Sequence, residues 1–421
     1  MKISVIAIGD ELLIGQVTDT NSGMIARHIG PYGWEVAYVQ TIGDKPGEIT
    51  AAIDRAFSQT DVVITTGGLG PTKDDLTKQT LCDYFGGTLV EDPEVTANNL
   101  RLFARRGIEM NALTAAQALV PTSCRVIQNR VGTAPIMWFE RDGKVLVSMP
   151  GVPFETETML AEAVFPQLLK RFHSDVNIAH AVLMVGGFTE SGLAMEIADW
   201  EEALPPHLHL AYLPKPGIIR LRIDGIHPDA DYINKEVTRA SLELQQRLGS
   251  HVLVASDLTP PEILLDRCRE HGLTIASAES CTGGNIAHQL TLIPGASDVV
   301  AGGVVSYSNE VKINVLGVKA ETLAANGAVS LPVVGEMAAG VMRLTGASLT
   351  MSTSGIAGPG GGTPEKPVGT VCIGARLRLK DGTEVGDKYT AHFNGSRPRV
   401  IESATTAAIL LAIKLIDNNL K

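Results

Sequence analysis

The sequence predicts a mixed α/β protein built from more than one domain. Its 421 residues exceed the roughly 100 to 200 residues that one domain usually needs. Short apolar runs alternate with helix-like stretches, and the apolar residues in these runs are mostly consecutive rather than alternating with polar ones. Continuous apolarity is typical of strands covered on both faces, as in parallel sheets flanked by helices.

The N-terminal region, residues 1–172, is predicted to be a parallel-sheet domain. Its buried strands are expected at 3–8, 35–40, 61–66 and 144–149. Helical patterns fit between them at about 21–29, 46–58, 76–85 and 154–172. This alternation of strand and helix indicates successive βα units.

Residues 173–250 are predicted to form a small α+β module that connects its neighbours. The pattern gives a strand at 181–185, a helix at 190–200, strands at 209–213 and 218–223, and a charged helix at 231–248.

Residues 258–421 are predicted to form a third domain, of α/β type. The pattern breaks near 256–261, where two prolines open a helix at 262–271. Further strands are expected at 273–277, 299–307, 348–353, 369–377 and 388–393, and further helices at 283–292, 310–316, 332–344 and 398–419. Ser396 is the expected N-cap of the last helix.

Composition argues against several classes of protein. The formal charge of -11 provides no overall basic surface for a nucleic acid backbone. The apolar run at the N-terminus is too short to span a membrane, so we expect a cytoplasmic protein. The five scattered cysteines form no CxxC pair, so we expect reduced thiols and no zinc site.

The first chemical site is predicted in the loop 66–77, between a buried strand and a helix. Its glycines allow backbone N–H groups to converge on an anion, with Gly67, Gly68, Gly70 and Thr72 as phosphate donors. Asp74 and Asp75 end this loop, and paired carboxylates could hold a divalent cation.

A second polar cluster, 9–15 with 19–21, follows the first strand and should face the same crevice. Asp10 from this cluster and Asp44 after another strand are expected to join Asp75 as metal or water-orienting carboxylates. The alternative, that these loops are tight turns with N-caps, stays open.

The third domain contains a candidate nucleophile, Ser280, on a strand-to-helix turn where helix N–H groups could stabilise an oxyanion. No histidine lies in a comparable loop, so Lys312 is the candidate base, although a lysine there would be solvated by default. The loop 352–362 offers further hydroxyls and backbone donors, while Cys281 is better explained as a buried small residue.

The N-terminal motifs 9–15, 19–21, 67–75, 132–135 and 149–153 resemble the molybdopterin-binding (MoaB/MogA-like) domain, and more closely its version in the CinA family. The resemblance implies an ADP-ribose pyrophosphatase that depends on a divalent metal such as Mg²⁺ or Co²⁺. Thr77 joins the substrate-binding residues in this interpretation. Ile136 departs from the pattern, because a second small residue is expected after Gly132-Thr-Ala-Pro135.

The C-terminal motifs 278–284, 307–309 with Lys312, 355–359 and 367–371 resemble the CinA C-terminal (PncC-like) domain. This resemblance implies a nicotinamide mononucleotide (NMN) amidohydrolase that needs no cofactor. Ser280 would attack the carboxamide, Lys312 would accept the serine proton, and Tyr307 and Ser354 would position the amide. Arg397 would bind the phosphate, with Arg399 as the alternative. The remaining expected substrate contacts are Glu279, Thr282, Gly283, Asn309, Gly355, Ala357 and Gly358.

Together these resemblances imply a bifunctional NAD-salvage enzyme that acts on NMN and ADP-ribose, and a homodimer is the expected assembly. The middle module resembles the KH-type segment of full-length relatives, but it lacks a GxxG loop, so we interpret it as structural. Two alternatives remain: a competence or recombination partner without catalysis, and an N-terminal domain that binds a molybdopterin nucleotide without hydrolysing it.

Overall fold

The computed structural model describes residues 1–72, 75–105, 107–172 and 176–420. Two compact units are present, one formed by 1–179 with 225–235 and the other by 180–224 with 236–421. The domain boundaries predicted at 172, 250 and 258 remain a prediction.

The N-terminal unit contains the predicted strands and helices with small shifts in their bounds. Its strands are β1 (Lys2–Ile8), β2 (Glu35–Ile42), β3 (Val62–Thr66), β4 (Leu89–Glu91), β5 (Leu119–Pro121), β6 (Arg125–Ile127), β7 (Ile136–Arg141) and β8 (Lys144–Met149). Its helices are α1 (Asp10–Leu13), α2 (Asn21–Ile29), α3 (Pro46–Gln59), α4 (Thr77–Phe85), α5 (Pro93–Arg105), α6 (Ala112–Ala115), α7 (Pro153–Met159) and α8 (Phe165–Arg171). A π-helical turn, Leu160–Val164, connects the last two.

The main N-terminal sheet has six strands in the order β2-β1-β3-β8-β7-β6. The first four pair in parallel, as predicted. The last two are antiparallel and were not predicted, so the sheet is mixed. Ile136 begins β7 and is fully buried in the core, which explains an apolar residue where a small one was expected.

Apolar side chains cover this sheet on both faces, which is why its strands are apolar at nearly every position. Along β1, Ile3 and Val5 belong to one core cluster, whereas Ile6 and Ile8 belong to another. Successive side chains of a strand point to opposite faces, so both clusters are built from the same short run. The carboxyl ends of β1, β3 and β8 are thereby fixed side by side.

The middle segment has the predicted α+β composition. It contains β9 (Asn177–Gly186), α9 (Glu190–Glu202), β10 (Leu208–Lys215), β11 (Ile218–His227), α10 (Ala230–Leu248) and the short β12 (Val252–Val254). The four strands form one sheet in the order β10-β11-β9-β12. The last strand, antiparallel to β9, was not predicted.

The C-terminal segment also follows the prediction closely. Its strands are β13 (Ile275–Glu279), β14 (Val300–Val305), β15 (Leu349–Gly355), β16 (Thr370–Arg378) and β17 (Glu384–His392). Its helices are α11 (Pro260–His271), α12 (Asn285–Thr291), α13 (Asn309–Asn314), α14 (Ala320–Asn326), α15 (Leu331–Thr345) and α16 (Arg397–Asn419). Ser396 is the N-cap residue of α16, but its hydroxyl makes no capping hydrogen bond.

The C-terminal sheet has the order β14-β13-β15-β16-β17. The first three strands pair in parallel, and the last two are antiparallel. Along β13, Ile275 packs into one core cluster and Ala276 and Ala278 into another, so helices cover both faces. This arrangement holds the ends of β13, β14 and β15 together.

Candidate functional site

Ser280 is the first residue after β13, and its backbone is anchored to the neighbouring strand. Its N–H donates to the Thr353 carbonyl at 3.0 Å. On the other side, the Ser306 N–H donates to the Glu279 carbonyl at 2.7 Å. The loop that carries the hydroxyl is therefore fixed between two parallel strands.

Lys312 reaches the Ser280 hydroxyl directly, as the sequence predicted. Its Nζ lies 3.1 Å from Ser280 Oγ, 2.6 Å from the Ser306 carbonyl and 3.3 Å from the Tyr307 carbonyl. A neutral amine has two hydrogens and one lone pair. Two carbonyls can accept the hydrogens, which leaves the lone pair for the serine proton.

Burial favours the neutral form of this amine. Lys312 is 1% exposed, and desolvation lowers the pKa of its ammonium group. The lysine is held by α13, whose first turn is capped by Ser308, which accepts from the Val311 N–H at 3.3 Å. The default expectation of a solvated lysine is therefore wrong.

Glu279 organises the turn after Ser280 and is itself buried. One carboxylate oxygen accepts from Ser277 Oγ and the Ala287 N–H. The other accepts from Thr282 Oγ1 and from the N–H groups of Gly284 and Ile286. These bonds use the first N–H groups of α12, so these groups are not free to stabilise an oxyanion, contrary to the prediction.

This network corrects two expectations. Glu279 was expected to contact substrate, but its oxygens hold the turn and the start of α12. Thr282 was also expected to contact substrate, but its hydroxyl lies between Glu279 and Thr353 Oγ1, at 2.7 and 2.8 Å. Gly283 has φ +63°, and a side chain there would meet no atom within 4 Å, so the turn needs its backbone conformation.

Arg397 lies at the same site, and Arg399 does not. The Arg397 guanidinium donates to the Tyr307 hydroxyl at 3.0 Å and to the Gly358 carbonyl at 2.8 Å. Arg399 lines a separate cavity of about 820 Å³ together with Tyr389 and Lys414. Of the two arginines left open by the sequence, the geometry favours Arg397.

The end of β15 and the loop after it have a more structural role than predicted. The buried Ser354 donates its hydroxyl to the Ala328 carbonyl at 2.7 Å, so its proton is committed within the protein. A side chain on Gly355 would collide with Val371, and Ala357 is part of the apolar core.

The structure also shows the surroundings of two residues close in sequence to Ser280 and Lys312. Asn309 is exposed at the start of α13. Cys281 is buried, and desolvation raises the pKa of its thiol to about 12, so it is a poor nucleophile, as expected.

The N-terminal loops line a cavity of about 680 Å³, as the shared-crevice argument predicted. Gly67, Gly68, Gly70 and Asp75 line it on one side, and the segments 17–21 and 150–153 line it elsewhere. The lining carboxylates are Glu11, Asp19, Asp75 and Glu155, and the described lining includes no Lys, Arg or His. A pyrophosphate in this cavity would need positive charge from another source.

Most of the predicted phosphate donors are already bonded. Asp75 accepts from the N–H groups of Gly70 and Thr72 at 2.9 and 3.0 Å, and also from the Thr72 hydroxyl. The Gly67 N–H donates to the Met149 carbonyl at 3.1 Å. Gly68 is the remaining candidate, since its N–H has no acceptor among the described residues.

The expected metal ligands are only partly assembled. Asp44 accepts from the Asp10 N–H at 3.2 Å through one oxygen, while its other oxygen is buried and accepts no hydrogen bond from the described residues. Desolvation raises the pKa of Asp44, and the charges of Glu11, Asp10 and Asp75 raise it further. Within the described ranges no group of three His, Cys, Asp or Glu residues forms a metal site, and Asp74 lies outside them.

Thr77 lies beside this carboxylate. Its hydroxyl is buried and has no hydrogen-bond partner among the described residues. An ideal Cβ on Gly68 would lie 2.0 Å from Thr77 Oγ1 and 2.9 Å from Asp44 Oδ1, so both unpaired oxygens approach the same glycine. Two unpaired buried oxygens in an acidic setting fit a bound cation.

Sequence reasoning missed two residues that line this cavity, Gln117 and Glu155. Gln117 is buried, and its amide donates to the Leu69 carbonyl. Glu155 accepts from Asn129 at 2.8 Å and lies against Gly132, whose Cβ would meet its carboxylate. Only the position of Glu155, just after the 149–153 motif, offered a signal.

Among the helices of the described ranges, none is both long enough and apolar enough to cross a membrane.

Comparisons with known proteins support the two family resemblances, one for the N-terminal region and one for the C-terminal region. Residues 4–170 match the family described as a probable molybdopterin binding domain, and residues 259–416 match the CinA C-terminal domain. A CinA-like protein from Cytophaga hutchinsonii is 44% identical over 369 residues, which cover 88% of each chain. Another, from Chloroherpeton thalassium, is 42% identical over 421 residues, which cover 99% of this chain and 100% of that protein.

Proposed function

The chain belongs to the family of CinA-like proteins, and from that premise we propose that it is a bifunctional hydrolase of NAD salvage. Its C-terminal site deamidates NMN to nicotinic acid mononucleotide and ammonia. Its N-terminal cavity cleaves ADP-ribose to AMP and ribose 5-phosphate with the help of a divalent metal. We also propose a cytoplasmic homodimer.

The amidase proposal depends on one observation, the contact of a buried amine with a hydroxyl. Lys312 Nζ lies 3.1 Å from Ser280 Oγ, and two carbonyls occupy its other hydrogen-bonding directions. A base must be neutral to accept a proton, and burial lowers the pKa of this lysine toward that condition. Ser280 and Lys312 thus form a nucleophile–base pair.

The reaction then follows from ordinary acyl transfer. Ser280 Oγ forms a bond to the carboxamide carbon of NMN while Lys312 takes the hydroxyl proton. Lys312 returns that proton to the amide nitrogen, the C–N bond breaks, and ammonia leaves an ester on Ser280. Water attacks the ester with Lys312 again as base, which releases the carboxylate and restores the serine.

Arg397 supports the choice of a nucleotide substrate. A guanidinium has five N–H donors, and in this site two hydrogen bonds leave others for a phosphate. The Tyr307 hydroxyl accepts a hydrogen bond from Arg397, and its carbonyl accepts one from Lys312, which supports a role for Tyr307 in positioning the amide.

The test is ammonia release from NMN by the wild type and by Ser280→Ala and Lys312→Met. Both variants should lose at least about a thousandfold in kcat, since nucleophile and base act as a unit. Lys319→Met, at the start of a nearby helix, is the matched control and should keep full activity. Turnover by Ser280→Ala at the wild-type rate would refute the assignment.

The N-terminal proposal depends on the unpaired oxygens of Asp44 and Thr77. Asp44, Asp10 and Asp75 would hold the cation, with Asp74 as a further candidate from the sequence. A bound divalent metal supplies positive charge to the pyrophosphate and a more acidic water. The protein itself would hold the pyrophosphate next to Gly68, in a cavity that is lined by carboxylates.

The test is Mg²⁺-dependent release of AMP from ADP-ribose by the wild type and by Asp44→Asn. Loss of one ligand carboxylate should reduce turnover by about 10- to 100-fold. Asp54→Asn, on an exposed face of α3 in the same unit, is the control.

The main alternative is an N-terminal domain that binds a molybdopterin nucleotide without hydrolysis. The description of the family that matches residues 4–170 favours it. In that case ADP-ribose would persist intact in the presence of metal, while a molybdopterin nucleotide would bind with saturable affinity.

A further inference from the structure

One lysine, Lys78, lies behind the glycine loop of the N-terminal cavity. None of the predicted motifs uses it as a ligand. Lys78 is the second residue of α4, and its side chain is largely withdrawn from water. A cation at a helix N-terminus meets the positive end of the helix dipole, and burial adds a desolvation penalty. A lysine therefore needs compensation to occupy this position.

Two partners provide that compensation. Lys78 Nζ donates to the Gln117 carbonyl at 2.8 Å. The negative charge of Asp75 also attracts the ammonium group. Burial lowers the pKa of Lys78 to about 8, and the hydrogen bond to Gln117 holds the amine in place.

Gln117 and Asp75 also hydrogen-bond the same peptide group of the loop, the one between Leu69 and Gly70. The Gln117 side chain donates to the Leu69 carbonyl at 3.3 Å. The N–H of the same peptide, on Gly70, donates to Asp75 at 2.9 Å. The 69–70 peptide is therefore held at its C=O by Gln117 and at its N–H by Asp75, and Lys78 interacts with both.

We propose that Lys78 is a positioning residue of the N-terminal site. It orients the 69–70 peptide through Gln117 and Asp75. It also brings positive charge close to the acidic cavity that receives a pyrophosphate. This inference rests on the proposed ADP-ribose hydrolysis. The described residues that line the cavity include four carboxylates and no basic group, so a cation just outside the lining offsets part of their repulsion for an anion.

Lys78 holds the loop in the same way in the ground state and in the transition state. Its loss should therefore weaken substrate binding throughout the reaction, which raises KM and changes kcat little. Removing a charged hydrogen-bond donor of this kind should raise KM for ADP-ribose about tenfold.

The experiment compares Lys78→Met and Lys78→Arg with the wild type in Mg²⁺-dependent AMP release from ADP-ribose. Lys78→Met should show the tenfold rise in KM, and Lys78→Arg, which keeps the charge, should stay within about threefold of wild type. The matched control is Lys144→Met. Lys144 also donates to a main-chain carbonyl, that of Phe57, but at the start of β8, away from the cavity.

Thermal unfolding separates positioning from a merely structural role. Lys78→Met removes a desolvated charge, so its unfolding midpoint should stay close to that of wild type while KM rises. A midpoint that falls in parallel with activity, without rescue by Lys78→Arg, would overturn the proposal. NMN deamidation by the same samples should be unchanged.

A double variant tests the path through Gln117. If Lys78 and Gln117 orient the same 69–70 peptide, the rise in KM for Lys78→Met combined with Gln117→Leu should be smaller than the product of the two single rises. A rise equal to that product would overturn the proposal. If the wild type hydrolyses ADP-ribose and Lys78→Met matches it, the inference fails while the proposed function survives. If the wild type releases no AMP, both fail.

Discussion

The two candidate sites differ in how much of their chemistry the chain itself supplies. In the C-terminal site, the proposed nucleophile Ser280 contacts the proposed base Lys312, and Tyr307 hydrogen-bonds both Lys312 and Arg397. Beside the N-terminal cavity, an oxygen of Asp44 and the hydroxyl of Thr77 are buried without partners among the described residues, near carboxylates that repel one another. Parallel-sheet loops of similar origin thus give one site whose proposed reacting groups are already in contact and one whose negative charges, under our proposal, a cation would balance.

The origin of the difference is the source of positive charge. A helix places Lys312 against Ser280, and Arg397 comes from the first turn of another helix. In the N-terminal unit the nearby lysine, Lys78, lies behind the loop and contacts the main chain of Gln117. A phosphate would therefore meet the guanidinium of Arg397 in one site and a lining with four carboxylates in the other.

The largest effect we expect from a change outside the dyad is at Arg397. Arg397→Ala should raise KM for NMN by about 10- to 100-fold, because a charged hydrogen bond to phosphate is lost. Arg399→Ala, its neighbour on α16, should leave KM within about twofold, since Arg399 lines a different cavity. Steady-state kinetics of ammonia release measures both. Equal effects would remove Arg397 from the phosphate site.

A second effect, on stability, is expected at Glu279. Glu279→Gln places an amide donor against N–H and hydroxyl donors, so at least two buried hydrogen bonds are lost. We expect about 2–4 kcal/mol of destabilisation and a thermal midpoint lower by roughly 5 °C or more. Calorimetry of this variant beside the exposed Glu321→Gln measures it. An unchanged midpoint would contradict the role of Glu279 in holding the turn.

The subtlest expectation concerns pH. Lys312 must be neutral to act as base, so kcat/KM for NMN should rise with pH through its pKa and then level off. Because burial lowers that pKa from its ordinary value of 10.5, the rise should be complete at a lower pH than for an exposed lysine. Lys312→Arg, which stays charged, should be inactive at every pH. A wild-type rise that continues to pH 10.5 would contradict a depressed pKa.

Much of the fold could be predicted from the sequence, since continuous apolar runs such as that of β1 report burial on both faces. The antiparallel strand β7 was not predicted, because its short apolar run directly follows the Gly132–Pro135 motif with no turn signal between them. Short strands such as β4 and β12 have too few residues for a periodicity to emerge.

The sites were harder to predict, because spacing does not show where a side chain finds its partner. Ser280 and Lys312 were paired from their places at neighbouring strand ends, and the structure brings them together. Glu279 was assigned to substrate because the sequence cannot show that five donors converge on it. Gln117 and Lys78 carry no motif, since their roles depend on a contact between segments about 40 residues apart.

The most direct test of this account measures both activities in one sample after chelation of divalent metals. With EDTA, ammonia release from NMN should be unchanged, and AMP release from ADP-ribose should fall to background and return when Mg²⁺ is added. Loss of NMN deamidation with EDTA, or ADP-ribose hydrolysis that persists without metal, would contradict the claim that the chain completes one site and leaves the other to a cation.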